Sequence, residues 1–360
     1  MDNIIKSSVT EPFDPSTLKA EVRNATIGQL VEMLRNDLID LYPEFQRNAN
    51  LWGAGKKSQL IESILLGLPL PSFYFYNDSI GKKWVVIDGL QRLCALKSFM
   101  VDGDLTLKDL EFLDKEKYSK PYSEFSYYDK LAISMHPVTL NVLSGSASAE
   151  ARYIIFQRVN SKGTPLYPVE VRNALYQGPA TNLITKMVNE PIFKKMVSDK
   201  ISIIRMKDRE FASRFLAFYL FDYHSYSEYK NLDVFLCRAM DAINHNMDIN
   251  KELDIIRNFK SSMETCLALL GEEAFRKPTE GGRRSQVSIA IFEMLTVSIS
   301  RLNKNQQYIL TQRRSVFVNA YNDMFEDPLI QKFLSSGMGN PTAVRYRFDY
   351  IEKVIRHALK

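Results

Sequence analysis

The sequence predicts an α+β protein, a small mixed sheet with helices followed by a mostly α-helical region. Three observations predict it. Short β-favouring runs, FYFY at 73–76 and WVVI at 84–87, stand among helical patterns in the first 145 residues. From Ala147 onward apolar residues recur at helical spacing almost without pause. The change falls at Leu143-Ser144-Gly145-Ser146, a small-residue stretch. The chain therefore divides into a polar arm (1–24), a sheet-containing domain (25–146) and a helical domain (147–360).

Each element has a local reason. Residues 25–36 read as a first helix, with Thr26 as N-cap and Ile27, Leu30, Val31 and Leu34 on one face. Leu41-Tyr42-Pro43-Glu44-Phe45-Gln46-Arg47 reads as extended, and Trp52 follows in a glycine-containing loop. A second helix at 57–66 carries Leu60, Ile61, Ile64 and Leu65, and Gly67, Pro69 and Pro71 end it. Strands at 72–76 and 83–87 pair antiparallel across a turn at 77–81. A helix at 89–101 comes next, then an irregular stretch to 128, a short helix at 128–135 and a strand at 137–143. Further helices are expected at 149–159, 168–175, 180–189, 209–223, 232–244, 251–270, 285–302, 305–324, 328–336 and 342–359. A glycine-rich basic loop separates two of them at 278–284.

Composition narrows the function classes. The 360 residues are 45% hydrophobic and 25% charged, as in ordinary globular proteins. The net charge of +5, from 47 basic and 42 acidic residues, accommodates a polyanion without requiring one. Cys94, Cys237 and Cys266 are widely spaced, which argues against a disulfide framework and against a zinc site. His136, His224, His245 and His357 are isolated from one another and read as structural. No stretch approaches 18 apolar residues, and the N-terminus lacks a signal-peptide pattern. A reducing, cytoplasmic setting without membrane attachment is the expectation.

The chemistry concentrates at 84–93, WVVIDGLQRL, where a buried strand runs through Asp88-Gly89 into a helix carrying Gln91 and Arg92. Such a turn offers free backbone N–H groups, a positive helix end and an arginine, which together suit an anion. Asp88 is the candidate acid–base or metal-binding group. The same residues also fit an N-cap and a solvated helix arginine. Two further polar groups, Gln46-Arg47 and Lys56-Lys57-Ser58, sit beside apolar runs in the same region. Gly53-Ala54-Gly55-Lys56-Lys57-Ser58 does not have phosphate-loop spacing, and no strand leads into it. Arg276, Lys277, Arg283 and Arg284 are candidate DNA contacts, although charge runs of this kind are usually solvated surface.

The order FQR, Trp52, LIESILLGLPLP, FYFY, WVVIDGLQRL resembles the N-terminal domain of GmrSD-type modification-dependent restriction enzymes, with its YQR-type pair, its IESI-GxPIPP helix and turn, and its DGQQR signature. Three later blocks resemble the same family: IFQRVNSKGTPLYPVEVRNALY at 155–176, RMKDREFASRFLAF at 205–218 and RRSQVSIAIFEML at 283–295. The resemblance implies a ParB/sulfiredoxin-like nucleotide-binding domain. It further implies an NTP with Mg²⁺, and a role in a prokaryotic restriction or anti-phage system acting on foreign or modified DNA. Residue by residue, it implies catalytic roles for Asp88, Gln91 and Arg92, with Asp88 also the metal position. It implies nucleotide contacts from Gln46, Arg47, Gly89, Gln91, Arg92, Asn160, Gly163 and Thr164. Arg158 and Arg172 are nearby candidates that serve equally well as structural helix arginines.

Two departures qualify this. Leu90 stands where the family signature has glutamine, so nucleotide binding is the firmer expectation and turnover the weaker. The His-Asn-His nuclease set of many relatives is not found, so DNA cleavage would need a separate nuclease subunit. Homo-oligomerisation is compatible with the sequence. A non-catalytic, nucleotide-gated DNA-binding module and a nickase using Asp88 stay open as alternatives.

Overall fold

The computed structural model describes residues 18–41, 52–77, 83–145, parts of 153–159, 167–229, 231–278 and 285–360. Two compact units emerge, with the division after Leu166. The first is built on a five-stranded mixed sheet in the order β1-β5-β3-β4-β2. Its strands are β1 (Leu18–Thr26), β2 (Ile39–Asp40), β3 (Phe73–Asn77), β4 (Trp84–Asp88) and β5 (Pro137–Gly145). β1 runs antiparallel to β5, β5 parallel to β3, β3 antiparallel to β4 and β4 parallel to β2. Its longer helices among the described residues are α1 (Ile27–Arg35), α2 (Ala54–Leu65), α3 (Leu90–Lys97) and α4 (Tyr127–Met135), with a one-turn helix at Lys115–Tyr118 between the last two.

Local chemistry accounts for most of these elements. Thr26 caps α1 in a reciprocal capping box with Gln29, and Ile27, Leu30, Val31 and Leu34 form the buried face. β3 and β4 pair antiparallel as expected from their aromatic and β-branched runs. Phe73, Phe75, Val86, Leu140 and Val142 share the inner face of the sheet and are buried, as are Ile61, Leu93, Leu96 and Phe99 on the helical side. α3 continues into a π-helical turn, Ser98–Asp102, before Gly103 ends it.

The expected polar arm at 1–24 is corrected in its described part. Residues 18–24 are strand, because their partner lies over a hundred positions away in β5. The expected boundary near residue 146 also moves, to Leu166/Tyr167, and Tyr153 and Phe156 before it are buried.

The described part of the second unit is helical apart from its connections and one isolated bridge, Arg276 to Val287. Its elements are α5 (Pro168–Leu175), α6 (Pro179–Asn189), α7 (Pro191–Met196), α8 (Lys207–Leu220), α9 (Leu232–Asn246) and α10 (Ile249–Leu270). They continue as α11 (Ile289–Ser300), α12 (Lys304–Gln312), α13 (Arg314–Asp323), α14 (Pro328–Ser335) and α15 (Pro341–Leu359). The single helix expected over 305–324 is broken at Arg313, where φ is −100° and ψ 32°. No proline or glycine marks that break. Arg314 donates to the Leu269 carbonyl at 2.8 Å, so a long-range contact fixes the start of α13.

α11 is buried along its length, yet it carries Glu293 in its centre. Glu293 is one member of an alternating chain of charges, Asp233–Arg172–Glu210–Arg214–Glu293–Arg347. Arg172 pairs with both Asp233 and Glu210. Arg214 bonds Glu210 at 3.1 Å and Glu293 at 3.0 Å, and Arg347 bonds Glu293 at 2.7 Å. Burial pushes the Glu210 carboxyl up, but Arg172 and Arg214 outweigh it and hold it below the usual range. Arg172 is thus a structural arginine, and the blocks at 205–218 and 283–295 supply Glu210, Arg214 and Glu293 to the same chain.

Candidate functional site

β4 turns Asp88 off the inner face of the sheet through a bulge. Tyr74 lies opposite Asp88, whereas Phe75 lies opposite Val86, so Ile87 is the extra residue on β4. One inserted residue reverses the in/out alternation, which places Asp88 with Tyr74 rather than with Phe73 and Phe75. Gly89 then makes the turn with φ +104°, and a Cβ there would stand 2.4 Å from the Phe73 ring. Both the backbone angle and the close approach therefore require glycine.

α3 begins at Leu90 without a side-chain cap at Gly89, and α2 begins at Ala54 without one at Gly53. The two starts are joined. The Trp52 backbone N–H donates to Gln91 Oε1 at 3.3 Å. Two positive helix ends are thus tied together beside the turn, and the Gln91 amide NH₂ is left as a donor for a ligand oxygen.

Asp88 and Arg92 form an ion pair at 3.3 Å. Burial raises the Asp88 carboxyl above its ordinary value, and Arg92 and the Gly89 N–H only partly offset it. Arg92 itself is 8% exposed and turned inward. It donates to the carbonyls of Pro71 and Ser72, the latter at 3.1 Å, and its guanidinium lies 4.4 Å from the Phe73 ring centroid. It locks the loop entering β3 to the turn, a positioning role. Leu90 is buried too, so the polar groups presented by this turn are Asp88 and Gln91.

Of the neighbouring polar residues, Lys57 and Ser58 prove structural. Ser58 Oγ donates to the Ala54 carbonyl at 2.8 Å and accepts from Lys108 N at 3.0 Å. Buried Lys57 reaches Ser98 Oγ at 3.5 Å. Burial pushes the Cys94 thiol up to about 11, against the opposing pull of Lys57 and Lys97, which leaves it an inert core thiol.

Glu62, the glutamate of the IESI stretch, is 3% exposed and accepts from three consecutive backbone N–H groups: Glu111 at 3.0 Å, Phe112 at 2.7 Å and Leu113 at 2.9 Å. Burial pushes its carboxyl up, and these amides with Lys115 more than offset that, so it titrates below the ordinary range. A depressed carboxyl stabilises the fold above its unfolded pKa of about 4.3 and loses that contribution as pH falls through the folded value. Glu62→Gln is expected to cost about 1–3 kcal/mol at neutral pH. In urea melts at stepped pH, the gap to wild type should narrow below about pH 4.

Of the other sequence-predicted residues, Gln46, Arg47, Asn160, Gly163, Thr164, Arg283 and Arg284 lie outside the described residues. Arg276 pairs with Glu273 and donates to the Ser285 carbonyl, and so closes its own loop. Lys277 bonds Ser335 Oγ at 2.9 Å. Among the described residues no three His, Cys, Asp or Glu side chains converge into a metal set. None of the described helices is long and apolar enough to cross a membrane. A cleft of about 470 Å³ opens in the helical unit between α6 and α10, but it contains none of the predicted site residues, and the Lys186–Glu252 ion pair lies in its lining.

Residues 27–177 match the family model described as GmrSD restriction endonuclease, N-terminal domain, so this part of the chain is similar to that family. The match runs from the start of α1 to just beyond α5 and includes the turn at Asp88–Gly89. No curated protein and no solved structure matches the chain.

Proposed function

We propose that this chain, through its GmrSD-type N-terminal domain, is a nucleotide-binding and NTP-hydrolysing component of a prokaryotic restriction or anti-phage system acting on foreign or modified DNA. The nucleotide is held at the turn formed by Asp88, Gly89, Leu90, Gln91 and Arg92, on a ParB-like scaffold. The observation that carries this reading is the pair of uncapped helix starts joined through Gln91, next to a carboxylate whose pKa is raised. Backbone N–H groups of the first turn of α3 and the Gln91 amide bind phosphate oxygens. Asp88 accepts the proton of the attacking water, a task that a raised pKa favours. The Asp88 carboxylate also suits Mg²⁺, which commonly takes one or two protein carboxylates and completes its shell with phosphate oxygens and water. When bound, the cation neutralises phosphate charge. Gln46, Arg47, Asn160, Gly163 and Thr164 complete the pocket in this reading. DNA is the target, and cleavage falls to a separate nuclease subunit.

The test is phosphate release by the full chain with each NTP and Mg²⁺. Asp88→Asn should lower turnover by about 10²–10⁴-fold while nucleotide binding changes little. Because the folded protein holds the Asp88 proton more tightly than the unfolded chain, ionisation costs stability as pH rises through the folded pKa. A neutral amide avoids that cost, so the variant should be as stable as wild type, or more so, at neutral pH. Phosphate release at the wild-type rate in Asp88→Asn would end the catalytic role.

A second reading is favoured by one observation: Arg92 is committed to protein carbonyls and Leu90 is buried. The domain then acts as a nucleotide-gated DNA-binding module without turnover. Nucleotide binding by wild type that alters DNA affinity with no phosphate released identifies this case. Plasmid nicking that disappears in Asp88→Asn identifies a nickase instead.

A further inference from the structure

β1 ends the sheet, and nothing pairs with its outer edge among the described residues. Residues 19–24 are exposed on both faces, with Val22 66% exposed. The ladder tells which residues face outward. Ile27 N donates to the His136 carbonyl at 3.0 Å, in the same register that pairs Thr26 with Pro137 and Val22 with Asn141. In an antiparallel ladder hydrogen-bonded pairs alternate with non-bonded ones, so odd-numbered residues of β1 bond to β5. The even-numbered residues Ala20, Val22 and Asn24 therefore direct N–H and C=O to the open edge.

We propose that this edge pairs with β1 of a second copy of the chain, antiparallel about a twofold axis at Val22. That register sets Val22 opposite its own copy and Ala20 opposite Asn24, the residues with outward donors and acceptors. It also sets Glu21 opposite Arg23 of the partner, twice, as close non-hydrogen-bonded pairs. Within one chain Glu21 and Arg23 already lie on one face and bond at 2.7 Å; Arg23 also lies 5.4 Å from the Trp84 ring centroid, and both side chains remain about half exposed. The strand is thus self-complementary in hydrogen bonding and in charge. A charged edge that merely repels other strands would have no need of this order of signs. The result is a continuous ten-stranded sheet across two copies. This inference stands apart from the nucleotide reading.

Sedimentation of the full chain at tens of micromolar tests it. Wild type should have twice the chain mass. Val22→Pro removes an outward donor and leaves the β5 ladder intact, so it should give monomers with an unchanged far-UV spectrum. Glu21→Arg should weaken association by about tenfold. Glu21→Arg with Arg23→Glu should restore it, an outcome that holds even if Val22→Pro fails to fold. A wild-type monomer overturns the proposal, as does a dimer that none of these substitutions weakens.

Discussion

Glu293→Ala is expected to lower the stability of the helical unit by about 3–5 kcal/mol, as removal of one partner from a buried ion pair does. The side chain is 0% exposed and holds Arg347, also 0% exposed, on one oxygen and Arg214 on the other. Its loss leaves two buried guanidiniums without their shared anion. Arg347 keeps bonds to the carbonyls of Phe333 and Met338, both at 3.0 Å, but carbonyl dipoles do not replace a full charge. A typical domain has about 5–15 kcal/mol in total, so the unit would be close to unfolding. Glu293→Leu combined with Arg347→Met removes charge from both sides at once. The double variant should be destabilised by less than the sum of the single ones, with a coupling of about 1–3 kcal/mol. Urea denaturation of wild type, the two single variants and the double variant measures this, and in the same assay a Glu293→Ala loss under about 1 kcal/mol would show the chain of charges to be dispensable.

Gly89→Ala should destabilise the sheet-containing unit by about 2–4 kcal/mol and abolish the nucleotide binding proposed for its turn. Two effects combine. An L-residue at φ +104° costs about 1–2 kcal/mol, and a Cβ 2.4 Å from Phe73 forces a fully buried ring to move. The ring cannot move alone, because the Arg92 guanidinium lies over it. Gly67→Ala separates the two effects. Gly67 has φ +71° with nothing within 4 Å of the added Cβ, so that variant carries only the conformational cost. The difference between the two thermal shifts reports the close approach at the turn. Equal shifts would mean that Phe73 yields freely and that the turn is not tightly built.

Much of the fold is legible in the residues. Thr26 and Gln29 announce the start of α1, Gly67 and the prolines after it announce the end of α2, and the aromatic and β-branched runs announce the β3–β4 pair. The candidate turn is legible as well, since a buried strand, Asp-Gly and an amphipathic helix follow one another directly. The roles within it are less so. Arg92 reads as a phosphate ligand in the sequence and is a buried clamp on Pro71 and Ser72 in the structure. Glu62 reads as one polar residue in an apolar helix, and it proves to cage three amides about fifty positions away.

The sequence by itself determined most of the element types, the resemblance to the family and the place of the strand–glycine–helix turn at Asp88–Gly89. These depend on periodicity, caps and short motifs, whose interactions span a few residues. Tertiary structure alone decided that β1 exists as a strand, that a bulge turns Asp88 away from the core face, and that buried Arg172 joins a chain of six charges. The reason is physical: strand partners, bulges and ion pairs depend on which distant groups meet, and no local spacing records that.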